Sequence, residues 1–225
     1  MEELIEQNIP EYASELECAG FYVLGNFPAK VEEAFLYLPG LLPVLISAPH
    51  AVRHMRLGRA KASDTFTGTL AVLLNYLSGC SVLVNRRNYG GDPNYDQDCE
   101  YKRYLHNILK ECKPEVVLDL HGATEKHGFS IDAGTLRGRS LGDRPELLLN
   151  LENCLQSYGI TDLSRDYFPA AKQHTVTKFV YEKTEIPAIQ LEISRKYRRP
   201  YENPVDFCRV LAALLDFIVY FGGTK

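Results

Sequence analysis

Continuous apolar runs of strand length alternate along this chain with longer segments whose apolar residues recur at helical spacing. LPVLISAP (42–49), SVLVNR (81–86), EVVLDLHG (115–122) and AIQLEIS (188–194) are the runs. Each is too short to be a helix and too uniformly apolar for a half-exposed strand, so each reads as a strand buried on both faces. GFSIDAG (128–134) reads as a shorter one. Between the runs, Leu70, Leu73, Leu74 and Leu77 form one helical stripe, stopped by Gly79. Tyr101, Leu105, Ile108, Leu109 and Cys112 form a second. PELLLNLENCLQSYG (145–159) starts with Pro and ends with Gly, and a long final helix carries Cys208, Leu211, Leu215 and Ile218 on one face. The first of these helices is expected to be capped by Ser63 or Asp64. Strands and helices in this rhythm imply an α/β fold, a largely parallel sheet with helices on both faces. Residues 1–225 show no linker that would separate two domains, and residues 1–40 read as an extension packed on the rest.

Composition narrows the class. With 45% hydrophobic and 24% charged residues the chain is an ordinary globular one, neither disordered nor fibrous. A net charge of −4 argues against a nucleic-acid partner. The apolar runs stop short of a membrane span. The acidic start MEELIEQN lacks the basic and apolar regions of a secretory signal. The six cysteines have no zinc-ribbon spacing, so free thiols in a reducing, cytoplasmic setting are expected.

Chemistry concentrates where the apolar runs end. His50 directly follows the first, and His121 closes the third. In an open sheet the carboxyl ends of parallel strands share one edge, where ligands bind, so two histidines 71 positions apart are expected to meet. Asp64 opens the segment after the His50 loop, where it is either a helix cap or a metal ligand. His50, Asp64 and His121 would make a two-histidine, one-carboxylate set suited to a catalytic zinc. His54 is the competitor for the third place, but its loop carries Arg53, Arg56 and Arg59 and suits an anion better. Strand alternation puts Asp119 on the same face as His121, where it serves either as a strand-end polar residue or as acceptor of that histidine's second ring N–H. Glu192 lies between Leu191 and Ile193 in an apolar run. A carboxylate there is costly unless it has a partner or a task, and it reads as a general base. Arg86 and Arg87 follow a strand and are expected to grip a substrate carboxylate.

Taken in order, ISAPH (46–50), SDTFTGTLA (63–71), NRRNYGGDPNYD (85–96), VVLDLHG (116–122) and IQLEISRKYR (189–198) resemble the N-formylglutamate amidohydrolase family, zinc hydrolases related in fold to carboxypeptidases and aspartoacylase. The resemblance covers about two-thirds of the chain. It implies a three-layer α/β/α fold around a mixed sheet and one zinc ion held by His50, an acidic residue and His121. Asp64 matches that acidic position. Glu192 matches the catalytic carboxylate, and Arg198 is a candidate for structure or substrate contact. Two departures stand out. AVRH follows the first histidine in place of a small Ser-Gly-like turn. Asp92-Pro93-Asn94-Tyr95 stands where the family tends to have Asp-Leu-Asn-Arg, so an arginine near the acidic substrate is missing and Arg86 or Arg87 would have to supply it.

The expected activity is zinc-dependent hydrolysis of an N-acyl amino acid or small peptide-like amide, with no nucleic-acid or membrane partner. The alternatives are a zinc carboxypeptidase-like peptidase, or a non-catalytic binder of an acidic metabolite on the same fold.

Overall fold

The computed structural model describes residues 4, 8–22, 25 and 30–222. The apolar runs form the strands expected of them. They are β2 (Leu42–Ala48), β5 (Cys80–Asn85), β6 (Val116–Ala123) and β9 (Ala188–Ser194). These four lie side by side and parallel in the order β5-β2-β6-β9 at the centre of a seven-stranded sheet. β1 (Phe35–Leu38) closes one edge antiparallel to β5. At the other edge β7 (Ile131–Gly134) runs antiparallel to β9 and carries β8 (Leu163–Arg165). The sheet is therefore mixed, with a parallel core. β3 (His54–Arg56) and β4 (Arg59–Lys61) form a separate hairpin, so the AVRHMRL segment is not helical.

Alternation along each strand builds two cores. Val44, Ile46, Val82, Val84, Leu118, Leu120, Ile189 and Leu191 pack with α2 (Thr67–Ser78), α4 (Glu146–Ser157) and α6 (Pro204–Tyr220). Leu45, Leu83, Val117 and Ala188 pack on the other side with α3 (Glu100–Cys112) and α5 (Val176–Thr184). Covering both faces in this way is the three-layer arrangement, and it satisfies strands that are apolar on both sides. Among the described residues, no helix is long and apolar enough to cross a membrane.

Two expectations need correction. The segment before residue 40 does more than pack on the domain. It contributes α1 (Ile9–Glu17), and its β1 joins the main sheet. The cap of α2 is also different: the helix starts at Thr67, its cap is Phe66 with φ of 69°, and no side chain caps it. Asp64 meets the helix only through its backbone carbonyl, which accepts the N–H and the hydroxyl of Thr67, so its carboxylate is left for other contacts. The expected stop at Gly79 holds, because its φ of 75° is the left-handed conformation that ends a helix.

Candidate metal centre

The second face changes character toward the carboxyl ends of the parallel strands. Leu45, Val117 and Ala188 lie in its core, and further along the same alternation come Ser47, Asp119, His121, Gln190 and Glu192. His121 sits opposite Glu192, and Asp119 opposite both Ser47 and Gln190. His50, two residues beyond β2, comes in over the same edge. A cleft of about 320 Å³ opens there, lined by His50, Asp64, His121 and Glu192, with Arg56 and Gln190 among the other residues of its wall.

His50 and His121 each lie between two carboxylates. The Nδ1 atoms of both rings face one oxygen of Asp64, at 3.6 Å from His50 and 3.3 Å from His121. On the far side, Nε2 of His50 is 2.9 Å from Asp92, and Nε2 of His121 is 3.1 Å from Asp119. A carboxylate only accepts, so Nε2 of His50 donates to Asp92, whereas Nε2 of His121 lies between the Asp119 carboxylate and an amide donor. The Asn94 amide is 2.9 Å from the same His121 nitrogen, and its Oδ1 accepts the N–H of Val176. Once their protons are released, the Nδ1 lone pairs of the two imidazoles and the Asp64 carboxylate converge on one point. Three acceptors so placed fit a divalent cation, with Asp92 and Asp119 orienting the imidazoles from behind.

His50, His54 and Asp92 form a second close group. His54 stacks flat on His50, with ring centroids 3.9 Å apart, and its Nε2 is 3.4 Å from Asp92. Arg56 places its Nε 2.6 Å from the same Asp92 oxygen. A guanidinium there would repel a dication, so this group reads as a brace for His50.

The charges follow from this packing. Burial alone would raise Asp64, but the two histidines more than offset it and hold the carboxyl well below the usual carboxylate range. Asp92 behaves likewise through His50, His54 and Arg56. Burial pushes Glu192 up to about 7, against a partial offset from His121. A half-buried carboxyl poised near neutrality beside a metal-type ligand set is suited to moving protons.

The expected arginines lie elsewhere. Arg86 and Arg87 both donate their backbone N–H to Ala34 beside β1, and Arg87 pairs with Glu33 at 2.9 Å. The N-terminal strand thus draws them to the far edge of the sheet. Arg198 is buried, and its guanidinium donates to the carbonyls of Ile193, Thr65 and Ala123. It ties together the segments that carry Glu192, Asp64 and His121. None of the three arginines lines the cleft. The arginine that does is Arg56, whose basic hairpin stood out in the sequence only as suited to anions. Its guanidinium also lies over the Tyr95 ring, 5.3 Å from the centroid.

Sequence reasoning missed Asp92, which looked like one more turn former in a loop of them. Its signal is position, because the loop leaves the carboxyl end of β5 on the edge where His50 and His121 meet. The opposite wall of the cleft comes from residues 168–170. Asp132 on β7 holds it in place by accepting the N–H groups of Tyr167 and Phe168 at 3.0 and 2.9 Å.

No family model matches the sequence, and no curated protein matches it. Solved structures do match. N-formylglutamate amidohydrolase from Ralstonia eutropha JMP134 superposes with a TM-score of 0.57 at 14% identity, over 83% of this chain and 98% of that one. A bacteriophage poly-gamma-glutamate hydrolase gives 0.53 at 17% identity, over 85% and 91%. A metallo-carboxypeptidase from Pseudomonas aeruginosa gives 0.56 at 13% identity, over 94% and 68%. The chain is therefore built on the mixed α/β fold that these three proteins share.

Proposed function

We propose that this chain is a zinc-dependent amidohydrolase that cleaves the amide of an N-acyl amino acid or a small peptide-like substrate. The observation that carries this reading is the convergence of His50 Nδ1, Asp64 Oδ2 and His121 Nδ1, with Glu192 in register beside His121. His50, Asp64 and His121 would hold one zinc ion, which supplies Lewis acidity toward water and the amide carbonyl. Glu192 takes the proton of the attacking water and returns it to the departing nitrogen. Its raised affinity for a proton suits both halves of that transfer.

Arg56 is the group proposed to hold a substrate carboxylate. Asp92 takes its Nε, and its terminal nitrogens make no hydrogen bond among the described residues. Lys172 adds a second cation to the cleft wall. The likeness of fold to an enzyme named for N-formylglutamate supports the choice of an acidic acyl amino acid as the first substrate to try. A binding protein without turnover would gain nothing from burying a carboxyl as costly as Glu192.

The test is metal content followed by turnover. The purified chain is expected to hold about one zinc per molecule by elemental analysis. The zinc-loaded chain is then screened against N-formyl, N-acetyl and peptidyl amino acids. Glu192→Gln should keep the metal and lose at least about a hundredfold in kcat. Near-normal turnover in that variant would remove Glu192 from the chemistry. Preference for peptidyl substrates would instead identify a carboxypeptidase-like peptidase.

A further inference from the structure

Gln190 stands two residues before Glu192 on β9 and lines the same cleft. It is 3% exposed, so both ends of its amide must be accounted for. Its Nε2 donates to Glu192 Oε1 at 3.1 Å. The carbonyl end is then turned away from Glu192. Among the described residues, Gln190 Oε1 is buried and has no hydrogen-bond partner.

The register explains why the protein supplies no donor. On one side Gln190 faces Asp119, a carboxylate already occupied by Ser47 and His121. On the other it faces Gly134, which has no side chain. A buried acceptor without a partner is costly, and it is tolerated where a ligand completes it. Gln190 belongs to the wall that also presents Glu192 and His121.

We propose that Gln190 is a specificity residue of this site: its Nε2 holds Glu192 while its Oε1 accepts an N–H from the substrate, so the site selects amides that keep a hydrogen on nitrogen. This rests on the metal-hydrolase reading above and deepens it, since esters and N-alkylated amides lack the donor.

The experiment compares two small chelators on the zinc-loaded chain by titration calorimetry. Acetohydroxamic acid and N-methylacetohydroxamic acid offer the same two oxygens to a metal, and only the first has an N–H. The unmodified chain is expected to bind the first about ten- to a hundredfold more tightly. Gln190→Met, of similar size but with no comparable acceptor, should bring that ratio to about threefold or less at unchanged zinc content. Equal binding of the two by the unmodified chain would overturn the inference and leave the hydrolase reading standing. So would a preference that survives in Gln190→Met, because the added methyl would then be excluded by shape alone. A chain that takes up no zinc would overturn both.

Discussion

Asp92 accepts a hydrogen bond from His50 Nε2 at 2.9 Å and thereby turns His50 Nδ1 toward Asp64. The same carboxylate also takes Arg56 and the backbone N–H of Asn94. Asp92→Ala should therefore weaken zinc binding by about ten- to a hundredfold without removing any of the three proposed ligands. Competition against a chelator of known affinity measures this. Unchanged affinity would mean that His50 does not depend on Asp92 for its orientation.

A zinc ion at the proposed site would have to displace protons. Burial pulls His50 and His121 down, but the flanking carboxylates more than offset this and hold both above the ordinary histidine range. At pH 6.5, the ordinary histidine midpoint, the metal-free rings therefore carry the extra proton more often than not. Zinc binding at that pH should release roughly one to two protons, and affinity should rise with pH. Calorimetry in two buffers of different ionisation enthalpy counts them. Zinc uptake without proton release would argue against imidazole ligands.

Arg56 and Arg87 make opposite predictions. Arg56→Ala should raise KM for an N-acyl glutamate by about tenfold or more, because it removes the cation proposed to meet the carboxylate. Arg87→Ala breaks only a half-exposed pair with Glu33 and should leave KM within about twofold. Steady-state kinetics on the two variants decides between them, and a reversed order would restore the arginines after β5 as the substrate clamp.

Gly122 leaves room for Arg198. A Cβ at position 122 would lie 2.5 Å from the centre of that guanidinium. Arginine tips usually yield to such crowding, but this one is buried and holds three carbonyls. Gly122→Ala should cost about 1–3 kcal/mol in urea unfolding. A neutral result would show that the tie is dispensable.

Glu192 has a pH signature apart from turnover. In the folded, metal-free chain burial holds its proton up to about 7, against 4.5 ordinarily. The folded state therefore binds a proton that the unfolded state has released, and stability falls as pH rises between those values. By pH 8 the burden is about 3 kcal/mol. Glu192→Gln removes it, so the metal-free variant should gain on the unmodified chain between pH 5 and pH 8 and match it most closely at the acid end. Urea unfolding at both pH values reads the difference, and a constant offset would mean that the carboxyl is not buried at a cost.

The parallel core was legible in the sequence because periodicity is local. A strand covered on both faces must be apolar on both faces, and β2, β5, β6 and β9 each announce this within a few residues. The helices that cover them announce themselves by their stripes. α5 was passed over because its buried residues Val176 and Val180 sit in a short, polar segment, although Thr175 is its cap. β1 was passed over because its four residues are half-buried at an edge.

His50, His121 and Glu192 stand out because a histidine at the end of an apolar strand, or a carboxylate inside one, conflicts with its neighbours in the chain, and Asp64 because it opens the segment after the His50 loop and matches the acidic position of the family resemblance. The residues that orient them carry no such conflict. Asp92 and Gln190 are ordinary in their own segments, and Arg56 is one of several arginines in a basic hairpin. Their importance comes from strand order and register, which bring the β5 loop against His50 and seat Gln190 opposite Asp119. Local pattern thus determined the layers and the reactive side chains of this protein. Long-range packing decided which groups hold them and which cation faces the cleft, because hydrogen bonds between distant segments leave no period in the chain.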